Sequence, residues 1–240
     1  MMNCDPVTGA CLLPELDTAT SVKPTLRQGL AVRYVGDPMC SWCWGISPTV
    51  KVLADFCAAE GIAFSITMGG LRAGGGDPWS PQFKDFLRNE WQHIAKVTGQ
   101  PFGFTLLEAP HFNYDTEPAC RAVATVKLLQ AKHNLPEAVV LQFFSAIQQK
   151  FYVEGQDTTK LDFYAEICLR LGLDVVEFNA LFESPEAKQA VHQEFVRCRQ
   201  WGVRSFPTIL LERNGEMSAL AVGMVKADQL LTALKHAIAA

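Results

Sequence analysis

Two of the eight cysteines in this 240-residue chain, Cys40 and Cys43, are separated by only two residues, in Asp37-Pro-Met-Cys-Ser-Trp-Cys-Trp-Gly45. A C-x-x-C pair supports two chemistries: thiol–disulfide exchange, or half of a tetrahedral metal site. A structural metal needs two more ligands, commonly in a second close pair. Cys4, Cys11, Cys57, Cys120, Cys168 and Cys198 do not offer one, so the spacing favours exchange and no metal. Exchange needs one sulfur held as a thiolate and a second able to displace the mixed disulfide. Cys40 falls after a predicted strand and at the start of a helix, where unpaired N–H groups and the helix dipole favour negative charge. Cys43, one turn on, faces it and can resolve the intermediate.

A second signal is Gly202-Val-Arg-Ser-Phe-Pro-Thr208, directly before another predicted strand. Proline is permitted at a strand's first residue, and a cis peptide there would be a deliberate feature. Met39, Trp42, Trp44 and Phe206 could surround Cys40 with apolar surface that docks an extended polypeptide, its backbone pairing strand-like at Phe206. The plainer alternative packs these rings inside the protein; Trp42 is expected to be exposed and Trp44 packed.

Weaker candidates follow. Cys4 and Cys11, in Cys-Asp-Pro-Val-Thr-Gly-Ala-Cys, are possible accessory thiols forming a second disulfide, or two ordinary thiols of an arm. The glycine-rich run Gly69–Gly76 lacks the lysine and pattern of a phosphate loop and reads as a passage out of the sheet. Arg72 within it could meet an anionic substrate such as glutathione. Cys120 starts a helix and reads as a buried structural thiol. Cys57, Cys168 and Cys198 read as core. The five histidines show no paired spacing and receive no catalytic role.

The elements that must position these residues can be read from periodicity. Residues 30–36 and 62–68 are short β-favouring runs with a helix-spaced stretch, 47–60, between them, which predicts a parallel βαβ unit. Residues 81–200 are almost entirely helical in pattern, with helices expected at 81–98, 117–134, 136–153, 159–171 and 185–200, and Thr116 able to cap the second. Strands return at 208–212 and 219–222 around Asn214-Gly215, a hairpin signal, and a helix closes the chain at 227–238. The expected fold is α/β: residues 1–28 an irregular arm, 29–78 plus 196–240 a discontinuous sheet domain, and 79–195 an all-helical insertion.

Composition limits the function. With 49% hydrophobic and 19% charged residues the chain can bury a large core, which excludes a disordered one. Lys+Arg 21 against Asp+Glu 25, net −4, with no basic run, argues against nucleic acid. No apolar run reaches the roughly 18 residues of a membrane span, and no signal segment is visible, so a cytoplasmic location is expected. The cysteines are too sparse for a disulfide-built scaffold.

Taken together, DPMCSWCWG, SFPT and the interrupted sheet resemble the DsbA-like branch of the thioredoxin superfamily, in particular its cytoplasmic predicted protein-disulfide isomerases and, more distantly, FrnE-like proteins. The resemblance covers about residues 30–240. It implies a thioredoxin fold with an inserted helical domain, Cys40 as attacking and Cys43 as resolving cysteine, Pro48 as the proline that kinks the active-site helix, and Pro207 as a cis-proline preceded by the variable Phe206. It also implies that the helix of the insertion that carries Cys120 faces the active site, near Cys40, and that the chain is a thiol–disulfide oxidoreductase with no bound cofactor. Glutathione or a thioredoxin-like reductant would be its redox partner, and disulfide-containing polypeptides or glutathione its substrates, with the protein a monomer or weak homodimer. Strongly oxidising relatives carry histidine between the cysteines, whereas this chain has Ser41-Trp42. Neither adds positive charge, so a potential between roughly −270 and −120 mV, nearer the reducing end, is expected. Two rivals remain. One is a kappa-like glutathione transferase or isomerase, which places serine where this chain has Cys40. The other is a non-enzymatic zinc-binding or chaperone-like module.

Overall fold

The computed structural model describes residues 26–239 together with a short strand pair, β1 (Asn3–Cys4) and β2 (Cys11–Leu12), in which Cys4 stands opposite Cys11. The arm therefore carries one antiparallel pairing where its sequence predicts none. The side chains of Cys4 and Cys11 lie outside the described residues, and with them their role as accessory thiols.

The main sheet has the order β4-β3-β5-β6. β3 (Leu30–Gly36) is central and lies parallel to β4 (Ala63–Met68), as the βαβ reading requires, and antiparallel to β5 (Thr208–Arg213). β6 (Glu216–Val222) returns from β5 through Asn214 and Gly215, both at positive φ (51° and 89°), which is why Asn-Gly suits this two-residue turn. β3 is buried on both faces, which explains its nearly continuous apolar run.

The helices are less fully legible in the sequence. The C-x-x-C segment has its own short helix, α1 (Ser41–Gly45), separated at Ile46 from α2 (Ser47–Ala59). Pro48 sits in the first turn of α2, just past that break, where its missing N–H costs no hydrogen bond. Between β4 and β5 run α3 (Pro81–Thr98), a 3₁₀ turn (Thr105–Glu108), α4 (Glu117–His133), α5 (Ala138–Tyr152), α6 (Leu161–Arg170), α7 (Val175–Glu183) and α8 (Pro185–Gln200). The last helix is α9 (Ala227–Ala239).

Periodicity does not predict α7 or the 3₁₀ turn. α7 has a readable start, because Asp174 caps it by accepting the Glu177 N–H at 2.9 Å. Its nine residues are too short for the periodicity to stand out. Ser184 ends α7 and caps α8 by accepting the Ala187 N–H, so the two helices meet at one residue. The capping expected of Thr116 is a correction. Asp115 Oδ1 accepts the Glu117 N–H, and the Thr116 hydroxyl accepts the Arg72 N–H of the glycine-rich loop instead.

The expected domain boundary at 195/196 falls inside α8, which lies against both α4 and β4. Lys127 of α4 donates to the Ile66 carbonyl and pairs with Glu194 of α8 at 2.6 Å, while Glu194 accepts the Met68 N–H at 2.7 Å. Groups at the free edge of β4 are thus satisfied by the helical segment. One buried apolar cluster runs from Val32 and Tyr34 through Trp44, Val50 and Leu53 into Trp91, Phe143, Phe151 and Tyr152. Sheet and helices share this core, and each fully buried large side chain contributes about 1.5–3 kcal/mol. Among the described residues no helix is long and apolar enough to cross a membrane.

Candidate active site

Cys40 is the N-cap residue of α1, in extended backbone conformation (φ −88°, ψ 118°), and Cys43 lies one turn further on. The two cysteines approach to 3.5 Å. Cys40 keeps 5% of its surface accessible, whereas Cys43 keeps none. Burial, then the neighbouring Cys40, pushes the Cys43 thiol well above its ordinary value. An incoming group therefore meets Cys40 first.

The Phe206–Pro207 peptide is cis, and the Phe206 carbonyl lies 3.7 Å from Cys40 Sγ. The Pro207 carbonyl accepts the Gly223 N–H at 2.8 Å, and Thr208 Oγ1 donates to the Ser205 carbonyl at 2.8 Å. The half-buried Phe206 ring covers Gly69, where a Cβ would stand 2.1 Å from it. The start of the glycine-rich loop is thus shaped by the ring that precedes the cis-proline.

Asp37 ties the cysteine loop to everything around it. Its carboxylate is fully buried; Oδ1 accepts the Met39 N–H at 2.8 Å, and Oδ2 accepts the Leu71 N–H at 2.7 Å. The Cys120 thiol also reaches Oδ2, at 3.4 Å. Burial raises the Asp37 carboxyl above its usual range, partly offset by these donors, and pushes the Cys120 thiol well up, so that it stays a donor. Cys120 is therefore a buried thiol, and its contact is with Asp37 of the loop that leads to Cys40.

Met39 requires a correction. The sequence suggests that it offers apolar surface to substrate, yet it has no exposed surface. Its carbonyl accepts the Tyr114 hydroxyl at 2.9 Å, and its sulfur receives the Thr158 hydroxyl at 3.3 Å. The insertion supplies these groups and draws Met39 inward. Trp42 is half-buried rather than fully exposed, edge-on to His93 with centroids 5.9 Å apart. Ser41 beside it is half-buried too. Trp44 is packed, stacked on Tyr152, with its indole N–H donating to the Pro101 carbonyl at 2.9 Å. Arg72 pairs with Asp77 and lies over the Phe83 ring at 5.0 Å, so its charge is already matched. Cys57, Cys168 and Cys198 are buried, and burial pushes the first two thiols to about 12.

Tyr34, Asp37, His93, Tyr114 and Gln148 are site neighbours that sequence reasoning misses. Asp37 has a local signal, as it opens the C-x-x-C segment. Tyr114 stands 75 positions from Met39 and carries no local pattern that could place it there. Among the described residues no group of three or more His, Cys, Asp or Glu is arranged to hold a metal ion.

A mixed four-stranded sheet interrupted by helices, a C-x-x-C at a helix start and a cis-proline facing it define a thioredoxin-type dithiol protein. Residues 31–235 match the DSBA-like thioredoxin domain, and the chain belongs to that family, whose members are disulfide oxidoreductases and isomerases that need no cofactor. Among solved structures it is similar to a candidate protein disulfide isomerase from Nitrosomonas europaea, with 31% identity and a TM-score of 0.78, covering 88% of this chain and 98% of that one. It is also similar to the cytosolic disulfide reductase DsbM from Pseudomonas aeruginosa, with 25% identity and a TM-score of 0.70, covering 87% and 98%. A curated relative, the ClpXP adapter protein SpxH of Halalkalibacterium halodurans, is 28% identical over 218 residues, or 87% of this chain. The chain spans 66% of that relative's own length.

Proposed function

We propose that this chain is a cytosolic disulfide reductase or isomerase acting through Cys40 and Cys43. The observation that carries the reading is the graded exposure of two cysteines 3.5 Å apart, with the more accessible one facing the Phe206 carbonyl. Cys40 thiolate attacks a substrate disulfide, forming a mixed disulfide and releasing one substrate thiolate. Cys43 then attacks Cys40 Sγ, releasing the second thiol and closing the Cys40–Cys43 disulfide. Two electrons pass to the substrate, and glutathione or a thioredoxin-like dithiol restores the pair. Run in reverse, the same pair donates a disulfide. Ser41, Trp42 and the buried Asp37 add no positive charge beside Cys40, which favours the reducing direction.

Substrate would enter over an apolar rim. Leu71 (46% exposed), Met224 (39%) and Val222 (59%) are exposed on segments that touch the Asp37 and Pro207 loops, and the Phe206 ring lies against Gly69 of the same loop as Leu71. Such a rim suits an extended polypeptide, with Pro207 and the Phe206 backbone orienting it. Glutathione is the small-molecule alternative, supported by the structure of DsbM determined with it. The Leu71→Asp/Met224→Asp double variant is expected to slow reduction of a polypeptide disulfide about five- to tenfold, because it takes away apolar surface on which the polypeptide would rest. Glutathione disulfide reduction should change less than twofold. Equal slowing of both would remove the polypeptide preference.

The primary test is a glutathione redox titration followed by tryptophan fluorescence, with Trp42 and Trp44 flanking Cys43 as reporters. A reversible two-electron transition near the reducing end, lost in Cys40→Ser, is expected. Its absence in the wild type would overturn the reading, and conjugation of an electrophile that survives Cys43→Ser would replace it with a glutathione transferase.

A further inference from the structure

Behind Cys43 the protein buries the Tyr34 hydroxyl, whose one polar neighbour is the Cys43 thiol, and both amide atoms of Gln148; none of these atoms has a hydrogen-bond partner at ordinary geometry among the described residues. Neither side chain has exposed surface. Together with Cys43, Ser47 and Ser145 they line one small internal space between β3, α1, α2 and α5. Tyr34 Oη and Cys43 Sγ stand on the same side of Gly36, 2.8 and 3.2 Å from where a Cβ of residue 36 would be. A glycine there leaves the hydroxyl and the thiol room to meet.

An amide buried with both ends unpaired is unfavourable, and a methionine or leucine at 148 would fill the same space without that penalty. The position has a use only if a charge or donor appears beside it at some stage. The resolving step supplies one. Cys43 must become a thiolate to attack, yet it is closed to water, and burial opposes its ionisation. The titratable groups facing it are Cys40 from its own helix and Tyr34 from β3, and the Asp37 backbone N–H of the preceding loop also turns to the sulfur; α5 presents only neutral groups, Ser145 and Gln148. The Asp37 carboxylate is occupied by the Met39 and Leu71 N–H groups.

We propose that Tyr34 and Gln148 are the side-chain donors that join the Asp37 backbone N–H in holding the Cys43 thiolate during resolution, the O–H and the amide N–H turning to the sulfur as its negative charge develops. This rests on the reading of Cys43 as the resolving thiol. The step balances without a further reactant: Cys43–SH and the Cys40–S–S–R mixed disulfide give the Cys40–Cys43 disulfide and R–SH. The bond between Cys40 and R breaks, the bond between Cys40 and Cys43 forms, and the proton of Cys43 ends on the departing thiol. Because Gln148 belongs to the inserted helices, the insertion would take part in the chemistry as well as in shaping the cleft.

The test is single-turnover reaction of the reduced protein with glutathione disulfide, resolving formation of the Cys40–glutathione mixed disulfide from its decay, in Tyr34→Phe and Gln148→Met. Each variant is expected to slow decay about tenfold at pH 7 and to move the pH midpoint of decay up by about one unit, with formation unchanged. The mixed disulfide should accumulate by mass spectrometry. Gln148→Met should also raise the urea midpoint, because it removes the unpaired amide, so slower decay in it cannot come from misfolding. Decay within twofold of wild type at an unshifted midpoint in both variants would overturn the inference. Failure of the wild type to form any mixed disulfide would overturn the oxidoreductase reading, and this inference with it.

Discussion

Replacing Cys40 by serine should lower disulfide turnover at least about 10³-fold, equivalent to about 4 kcal/mol of transition-state stabilisation, while the fold persists. Exchange requires a thiolate at the surface, and a serine hydroxyl does not supply an equivalent nucleophile at neutral pH. No other cysteine among the described residues can substitute. Cys43, Cys57, Cys120 and Cys168 have no exposed surface and Cys198 keeps 2%. Cys43→Ser should behave differently. It leaves the first attack intact, so the protein stalls as a Cys40 mixed disulfide that accumulates one glutathione per chain. The paired measurement is turnover of glutathione disulfide with intact-mass analysis of both variants. Substantial turnover by Cys40→Ser would mean that the attacking thiol lies elsewhere. Rapid turnover by Cys43→Ser without a trapped species would mean that no resolving step is used.

The second large effect is expected at Asp37. Asp37→Ala should cost about 2–4 kcal/mol of stability, because it strands the buried Met39 N–H, the part-buried Leu71 N–H and the buried Cys120 thiol. It should also reduce activity, since Met39 immediately precedes Cys40 and Leu71 borders the proposed rim. Asp37→Asn keeps one carbonyl acceptor and should lose less.

The pH dependence separates these contributions from simple packing. The folded-state pKa of Asp37 is raised by burial, so the native state holds its proton to higher pH than the unfolded chain does. The slope of unfolding free energy with pH is therefore negative for this group. Its stabilising contribution is fully present below the unfolded value of about 3.9 and is lost as pH rises through the folded value. Relative to Asp37→Asn, the wild type should gain stability on acidification from pH 7 toward pH 4. Urea midpoints of both proteins across that range would show it. A difference that stays constant or reverses would mean that the N–H donors outweigh desolvation and hold the carboxylate ionised.

How much of this is readable in the chain follows from the range of each interaction. The strand–helix–strand order, the Asn-Gly hairpin, the C-x-x-C at a helix start and the proline before β5 are short-range patterns, set by backbone preference and side-chain periodicity within a few residues. Even the helical insertion is legible, since some 120 residues of helical spacing interrupt an otherwise β-forming chain. The resemblance to DsbA-like proteins rests on these same local motifs.

Tertiary packing decided the rest. Cys40 meets the Phe206 carbonyl across 166 positions, and Asp37 meets Cys120 across 83. Met39 looks like substrate surface because methionine beside a reactive cysteine suits an apolar cleft, but Tyr114 and Thr158 hold it from the inside. Nothing in the helical pattern of α5 marks Gln148 as more than a polar residue at a buried position. The sequence by itself determined which residues have the chemistry and which elements carry them, because those are local choices. Which groups surround each sulfur was decided only when distant segments packed together, because burial and hydrogen bonding depend on the neighbours brought alongside.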